Sequence, residues 1–363
     1  MSHDTAMNNE RLSAVRLASS PALLRTARID EQNRLYAKLT STPIRAWNME
    51  ASELHDAVMT QACQLGEDAM IQEGLGPPPS YYAFIAFGSA GRAEPTLWSD
   101  QDNGLIYGGD NTEQITSYFE QFGIKLSAIL EHVGYPLCSG NVMVSNPLWR
   151  GNLQTWARRF MGWRDILAWE QVRYLMIASD MRHICGDVSL YSSLRRTLKE
   201  IMELDQGIQQ DMNAAILRNT VRHKAALNIL GQVITEPTGE HAGDFDVKYG
   251  MYIPIVNAVR YLALQYGIES SSTWERISQL YQLEAVPPRW MESCRRAFDT
   301  AVKLRSMVPP TLEDGMLTGT HYLPQEMLKQ KEIRRELRES LSTVRLMYRT
   351  LQRQHRYAER KGL

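Results

Sequence analysis

The chain has 363 residues, enough for two or three domains, of which 44% are hydrophobic and 22% charged, with a net charge of −1. That balance excludes a global field for nucleic acid or anionic membrane and favours a small-molecule or protein substrate. No run approaches the ~18 apolar residues of a membrane span, and MSHDTAMNNERLS has no apolar signal core.

Cys63, Cys138, Cys185 and Cys294 form no Cys-x-x-Cys pair. They read as four reduced thiols of a cytoplasmic protein. Residues 1–20 are polar and aperiodic, as a loosely held end is. Residues 22–73 carry a helical pattern in which Leu54, Val58, Ala62 and Leu65 share a face and Ser52 is a candidate cap. Gly76 and three prolines, Pro77 to Pro79, then break the helix.

Residues 81–107, YYAFIAFGSAGRAEPTLWSDQDNGLIY, are the most informative stretch. The apolar run ending at Phe87 predicts a buried strand. Gly88-Ser89 and Gly91-Arg92 predict a tight strand-to-helix turn whose N–H groups can cradle an anion. Asp100 and Asp102 open a second strand, where a spacing of two puts both carboxylates on one face. Two such carboxylates repel unless a cation lies between them, and Mg²⁺ suits one or two carboxylates plus substrate phosphates.

Downstream, Ile115, Phe119, Phe122, Leu126, Ile129 and Val133 predict a helix packed on the sheet, ended by Gly134-Tyr135-Pro136. Residues 141–145 read as a third strand or an extended segment. Trp149, Trp156 and Trp163 recur every seven residues. With the arginines among them and Trp169, they can mark single-stranded nucleic-acid binding, but one shared helical face favours packing. Asp180, Arg182 and Asp187 read as a cap and an Asp–Arg pair at a domain edge. From residue 190 onward the pattern is almost wholly helical, a bundle without a solenoid repeat. Pro254 suits the first turn of a helix whose apolar face is Ile255, Val259, Leu262 and Tyr266. The last helix, about residues 325–357, sets Ile333, Leu337, Leu341, Val344, Tyr348 and Leu351 on one side. His223 and His241 lack metal-ligand spacing.

The pattern Gly-Ser-x-Gly-Arg-x-Glu (88–94) followed by Ser-Asp-Gln-Asp-Asn (99–103) resembles the polymerase-beta-type nucleotidyltransferase fold. Within it, the chain is most similar to bacterial nucleotidyltransferases related to the PII uridylyltransferase. Residues 138–149, and 245–260 with Gly267-Ile268 and Thr273, extend the resemblance over most of the chain from about Arg45. Relatives often carry cyclic-nucleotide-binding or CBS modules before this unit; none is visible here.

The resemblance implies an α+β fold: an extension (1–44), a nucleotidyltransferase domain with a small mixed sheet (45–188) and an all-α substrate-binding bundle (189–363). It implies a nucleoside triphosphate held by Gly88, Ser89, Gly91, Arg92 and Arg150, and Mg²⁺ or Mn²⁺ on the catalytic pair Asp100 and Asp102. UMP or AMP would pass to a protein or small-molecule acceptor with release of pyrophosphate, in a signalling role. Asp246 and Lys248 match the family's Asp-x-Lys, as a substrate contact or a local salt bridge; Met251 replaces its usual second glycine. The wider fold places a third carboxylate after the Asp pair, where this chain has Cys138, Ser139, Asn141 and Asn146. Asp180 or Asp187 is the candidate replacement. Without one, the alternative is a nucleotide-binding sensor that does not turn its ligand over.

Overall fold

The computed structural model describes residues 11–203, 206–222, 225–228 and 231–361. The first ten residues and His223 lie outside these. Along the chain, α1 (Pro21–Lys38) and α2 (Ile44–Gln72) lead to β1 (Tyr82–Ala86), a helical turn (Gly88–Gly91), β2 (Asn103–Tyr107) and α3 (Glu113–Val133). Next come β3 (Arg150–Asn152), α4 (Leu153–Ile166), α5 (Trp169–Ala178), β4 (Arg182–Gly186), α6 (Val188–Glu203) and α7 (Gln206–Thr220). A strand β5 (Phe245–Asp246) and a π-helical turn (Lys248–Tyr252) precede α8 (Ile253–Gln265), α9 (Thr273–Gln282) and α10 (Pro288–Met307). Short strands β6 (Thr311–Glu313), β7 (Met316–Thr318) and β8 (Tyr322–Leu323) and a long α11 (Lys331–Lys361) complete it.

The chain divides into two compact units that interleave in sequence. The first is the chain to Gly162 with Asp180–Ile201 and Leu312–Thr318; the second is Trp163–Ser179, Met202–Thr311 and Gly319–Leu363. In the first, a mixed sheet runs β3-β2-β1-β4. β1 is antiparallel to β2 and β4, and β2 is parallel to β3. Every residue of β1 and β2 is buried, as a strand covered on both faces requires. Thr112 Oγ1 accepts from Ile115 N at 3.3 Å to start α3, and Gly134 (φ 105°) ends it in the left-handed conformation. The α3 stripe meets the sheet through Phe119, stacked on Tyr107 at 4.6 Å, and through Phe119 and Phe122 against Tyr82. Trp149 and Trp156 are fully buried, so the seven-residue spacing is packing.

Two local expectations are corrected. α2 begins at Ile44 after Pro43, so Ser52 is a buried interior residue and caps nothing. Residues 141–145 form no strand; they are held by Asn103, which accepts from Val144 N at 2.8 Å through Oδ1 and donates its N–H to Val142 O at 3.0 Å. The third strand is Arg150–Asn152. The C-terminal hairpin β6–β7 returns to the first unit, where Gln32 Nε2 donates to Leu317 O (3.3 Å) and Arg28 Nη1 lies 3.4 Å from Met316 Sδ. Arg28, fully buried, also donates to Val133 O at 2.8 Å, a cation against a helix C-terminus.

The second unit is helical, with a two-residue antiparallel pair β5–β8 as an exception to the all-α expectation. Ile333, Leu337, Leu341, Val344, Tyr348 and Leu351 of α11 are all buried, as their spacing requires. Tyr266 falls past the end of α8 and is 47% exposed. Among the described residues no helix is long and apolar enough to cross a membrane.

His55 on α2 is a buried anchor of the loop between the glycine turn and Asp100. Its Nε2 donates to Thr96 O at 2.8 Å, so its Nδ1 accepts from Tyr135 Oη at 2.7 Å. Burial drives its pKa from 6.5 down to about 3, with Arg28 adding to the effect. The folded pKa is below the unfolded one. Neutral His55 therefore stabilises the fold above about pH 6.5, and that contribution is lost as pH falls toward 3, at up to ~1.4 kcal/mol per pH unit. Denaturant unfolding at pH 7 and pH 5 is expected to show His55→Gln less stable at pH 7, with a gap that narrows by about 2 kcal/mol at pH 5. A gap that stays constant removes His55 as the titrating group.

Candidate functional site

The site is built where β1 ends. Phe87 N–H bonds Asp102 O at 2.8 Å, which continues the β1–β2 pairing and brings the Asp-bearing lead-in of β2 alongside the turn. Gly91 N–H then bonds Phe87 O (2.7 Å) and Arg92 N–H bonds Gly88 O (3.2 Å), closing a single helical turn. Its N-cap, Phe87, contributes no side-chain bond. A turn this short has little macrodipole; what it offers an anion is its leading N–H groups and the Ser89 hydroxyl.

Both glycines are required by contact. Gly88 has φ 55°, and a Cβ there would lie 2.1 Å from Asp102 Oδ2. The Asp102 carboxylate therefore rests against the Gly88 backbone. A Cβ on Gly91 would lie 2.3 Å from Asp180 O and 2.7 Å from Ala86 O. Asp100, Gln101 and Asp102 precede β2, yet they alternate as a strand does. Gln101 is buried and donates to Ser127 O (2.9 Å) and Tyr135 O (3.1 Å), while Asp100 is exposed and Asp102 half-buried. The Cys138 thiol donates to Asp102 Oδ1 at 3.3 Å. Burial first, then the charges of Asp102 and Asp100, push this thiol up to about 12, so it is a neutral neighbour of the pair.

Arg92 is expected at the phosphates but is committed elsewhere. It is 4% exposed, its Nε donates to Glu94 Oε2 at 3.0 Å and its Nη1 to Asp180 Oδ2 at 2.7 Å, with both acids buried. That geometry gives it a bracing position under the turn. Arg150 is likewise occupied, donating to Val144 O (3.1 Å) and Ser145 O (2.5 Å) and facing Glu120 at 3.4 Å.

Arg182, expected to pair with a nearby aspartate, instead grips Asp56 with two bonds of 2.6 and 2.7 Å and donates to Ala90 O. It fastens the glycine turn to α2. Asp187 accepts from Ser189 N (2.7 Å), Leu190 N (3.2 Å) and the Ser189 hydroxyl, which hold its carboxyl below the usual range and cap α6. Asp180 and Asp187, the candidate replacements for the third carboxylate, are thus both held in local bonds, to Arg92 and to the start of α6. Among the described residues no group of three or more His, Cys, Asp or Glu forms a metal centre.

In the second unit Asp246 and Lys248 flank the start of the π-helical turn, a feature frequent at functional sites. Asp246 Oδ1 accepts from Tyr249 N at 2.8 Å, and its Oδ2 lies 3.8 Å from His321 Nε2. Lys248 Nζ lies 5.5 Å from the Tyr249 ring centroid. His241, read as no ligand, stacks on Tyr322 at 3.9 Å and meets Asp244 at 3.3 Å.

The roles of Cys138 and Arg182 were missed. Asn103 of the quoted motif was the available pointer, since its side chain carries the Cys138 segment to β2. Residues 31–167 match the family described as "Putative nucleotidyltransferase DUF294", and residues 210–355 match "Putative nucleotidyltransferase substrate binding domain". No curated protein matches the chain.

Proposed function

From a chain that belongs to this nucleotidyltransferase family, we propose a metal-dependent enzyme that moves a nucleoside monophosphate, UMP or AMP, from its triphosphate to an acceptor hydroxyl. The observation that carries this reading is the Asp102 carboxylate seated against Gly88, with Asp100 two residues away on the open side. The donor set fits a hard divalent cation: two carboxylates, one of them exposed and the other against the glycine turn.

Asp100 and Asp102 would hold Mg²⁺ or Mn²⁺, which when bound supplies charge neutralisation for the polyphosphate. The leading N–H groups of the turn, before Gly91 whose N–H is bonded to Phe87 O, and the Ser89 hydroxyl orient the triphosphate. Arg92, Arg182 and Arg150 act behind it as braces. The acceptor oxygen bonds the α-phosphorus, the bond from that phosphorus to the bridging oxygen breaks, and pyrophosphate leaves with the electron pair. Glu94, Asp180 and Asp187 are all engaged, so the hydroxyl proton leaves to water. Catalysis is then mainly positioning and charge neutralisation. The helical unit, with Asp246 and Lys248, is the proposed source of acceptor contacts, the acceptor being a protein in signalling or a small molecule.

The same engaged acids favour a second reading, a sensor that binds nucleotide without transfer. The test is incubation with labelled nucleoside triphosphates and Mg²⁺, with and without cell extract. Label on an acceptor supports the enzyme, whereas Mg²⁺-dependent binding without transfer supports the sensor. Neither binding nor transfer removes both.

A further inference from the structure

Three of the four tryptophans between residues 149 and 174 are buried, but Trp169 is 47% exposed. It opens α5, whose N-cap Ala168 contributes no side-chain bond. Beside it is a cavity of about 400 Å³ within the second unit, lined by Trp169, Leu167 and Val172 from one segment and by Asn219, Arg218 and Arg222 from another. That volume lies in the ~300–1,000 Å³ range of small-molecule pockets.

The chemistry of the lining is one-sided. Among the described residues it contains two arginines and no acid. The Arg222 guanidinium lies 5.0 Å from the Trp169 ring centroid and Arg173 lies 6.0 Å from it. Asn219 Nδ2 donates to Trp169 O at 3.2 Å, which fixes the residue that presents the ring. The nearby Glu170 carboxylate is bonded to the Tyr174 hydroxyl at 2.7 Å. A cation at the C-terminal turn of α7 would account for Arg218 alone. Arg222, beyond the helix end, packs on the indole, but neither contact accounts for a cavity walled by a half-exposed indole and two exposed arginines.

We propose that this cavity is a second ligand site that takes a nucleoside monophosphate, bound without a metal. Arg218 and Arg222 receive the phosphate, and the indole receives the base by stacking. Single-stranded nucleic acid fits less well, because burial of the other three tryptophans leaves no aromatic track for successive bases. The site uses neither Asp100 nor Asp102 and stands apart from the transfer reading.

Calorimetric titration of the full chain with AMP and UMP in excess EDTA tests it. One site per chain is expected, unchanged in the Asp100→Asn, Asp102→Asn double variant. Affinity should fall at least tenfold in Arg218→Ala, Arg222→Ala and in Trp169→Ala, with the unfolding temperature unchanged in the two arginine variants, whose side chains are exposed. Trp169→Phe should retain most of the affinity, and inorganic phosphate should bind with no dependence on Trp169. Three results each overturn the proposal: no metal-independent binding at millimolar nucleotide, binding indifferent to the two arginines, or a short oligonucleotide bound far more tightly than AMP.

Discussion

Asp102→Asn is expected to lower nucleotide transfer by about 100-fold, and Asp100→Asn by less. At an effective dielectric of ~20, a unit charge ~4 Å from another contributes about 4 kcal/mol. Discounted for the partial exposure of this carboxylate, about 3 kcal/mol remains, which is ~100-fold in rate. The exposed Asp100 is discounted further. The double variant should fall to background. Folding should not suffer: removing a charge from two carboxylates on one side of the chain relieves repulsion, so without metal the unfolding temperature is expected to hold or rise. Gly88→Ala should reach a comparable loss by a different route, since its Cβ displaces the Asp102 carboxylate and strains a positive φ. The checks are initial rates of label transfer and thermal unfolding on the same preparations. Full activity in Asp102→Asn would dismantle the site.

What the residues disclosed in advance was the local part. The strand–turn–strand around Gly88 follows from an apolar run, two glycines and an alternating acid pair, all within 27 residues. The stripes of α3 and α11 are long and regular enough to survive any tertiary context. The rest depends on partners remote in sequence. Arg92 looks like a phosphate ligand beside its motif, but Asp180, 88 positions on, claims it. β3 has three residues, too few to show a period, and pairs parallel to β2 across an intervening helix. Ser52 has the chemistry of a cap, but Pro43 sets the helix start nine residues earlier. The β6–β7 hairpin carries no local sign that Gln32 and Arg28 hold it.

Arg92→Met is expected to be the most destabilising single change beneath the site. The guanidinium is 4% exposed, and it faces Glu94 and Asp180 at 0% and 1%. Deleting the cation leaves buried carboxylates without it, a change that costs about 3–5 kcal/mol when a buried pair is broken from one side. At ~2–4 °C per kcal/mol for a domain of this size, the unfolding temperature should fall by roughly 10 °C. Arg92→Lys keeps the charge but cannot reach both acids with a planar fork, so it should sit between wild type and Arg92→Met. The combination Arg92→Met, Glu94→Gln, Asp180→Asn should recover part of the loss, because the uncompensated charges go with the cation. This series separates bracing from phosphate contact. A brace lowers stability in proportion to activity across the variants, with the nucleotide KM nearly constant among molecules that remain folded. A phosphate ligand raises KM in Arg92→Lys at unchanged unfolding temperature, and that outcome would return Arg92 to the nucleotide.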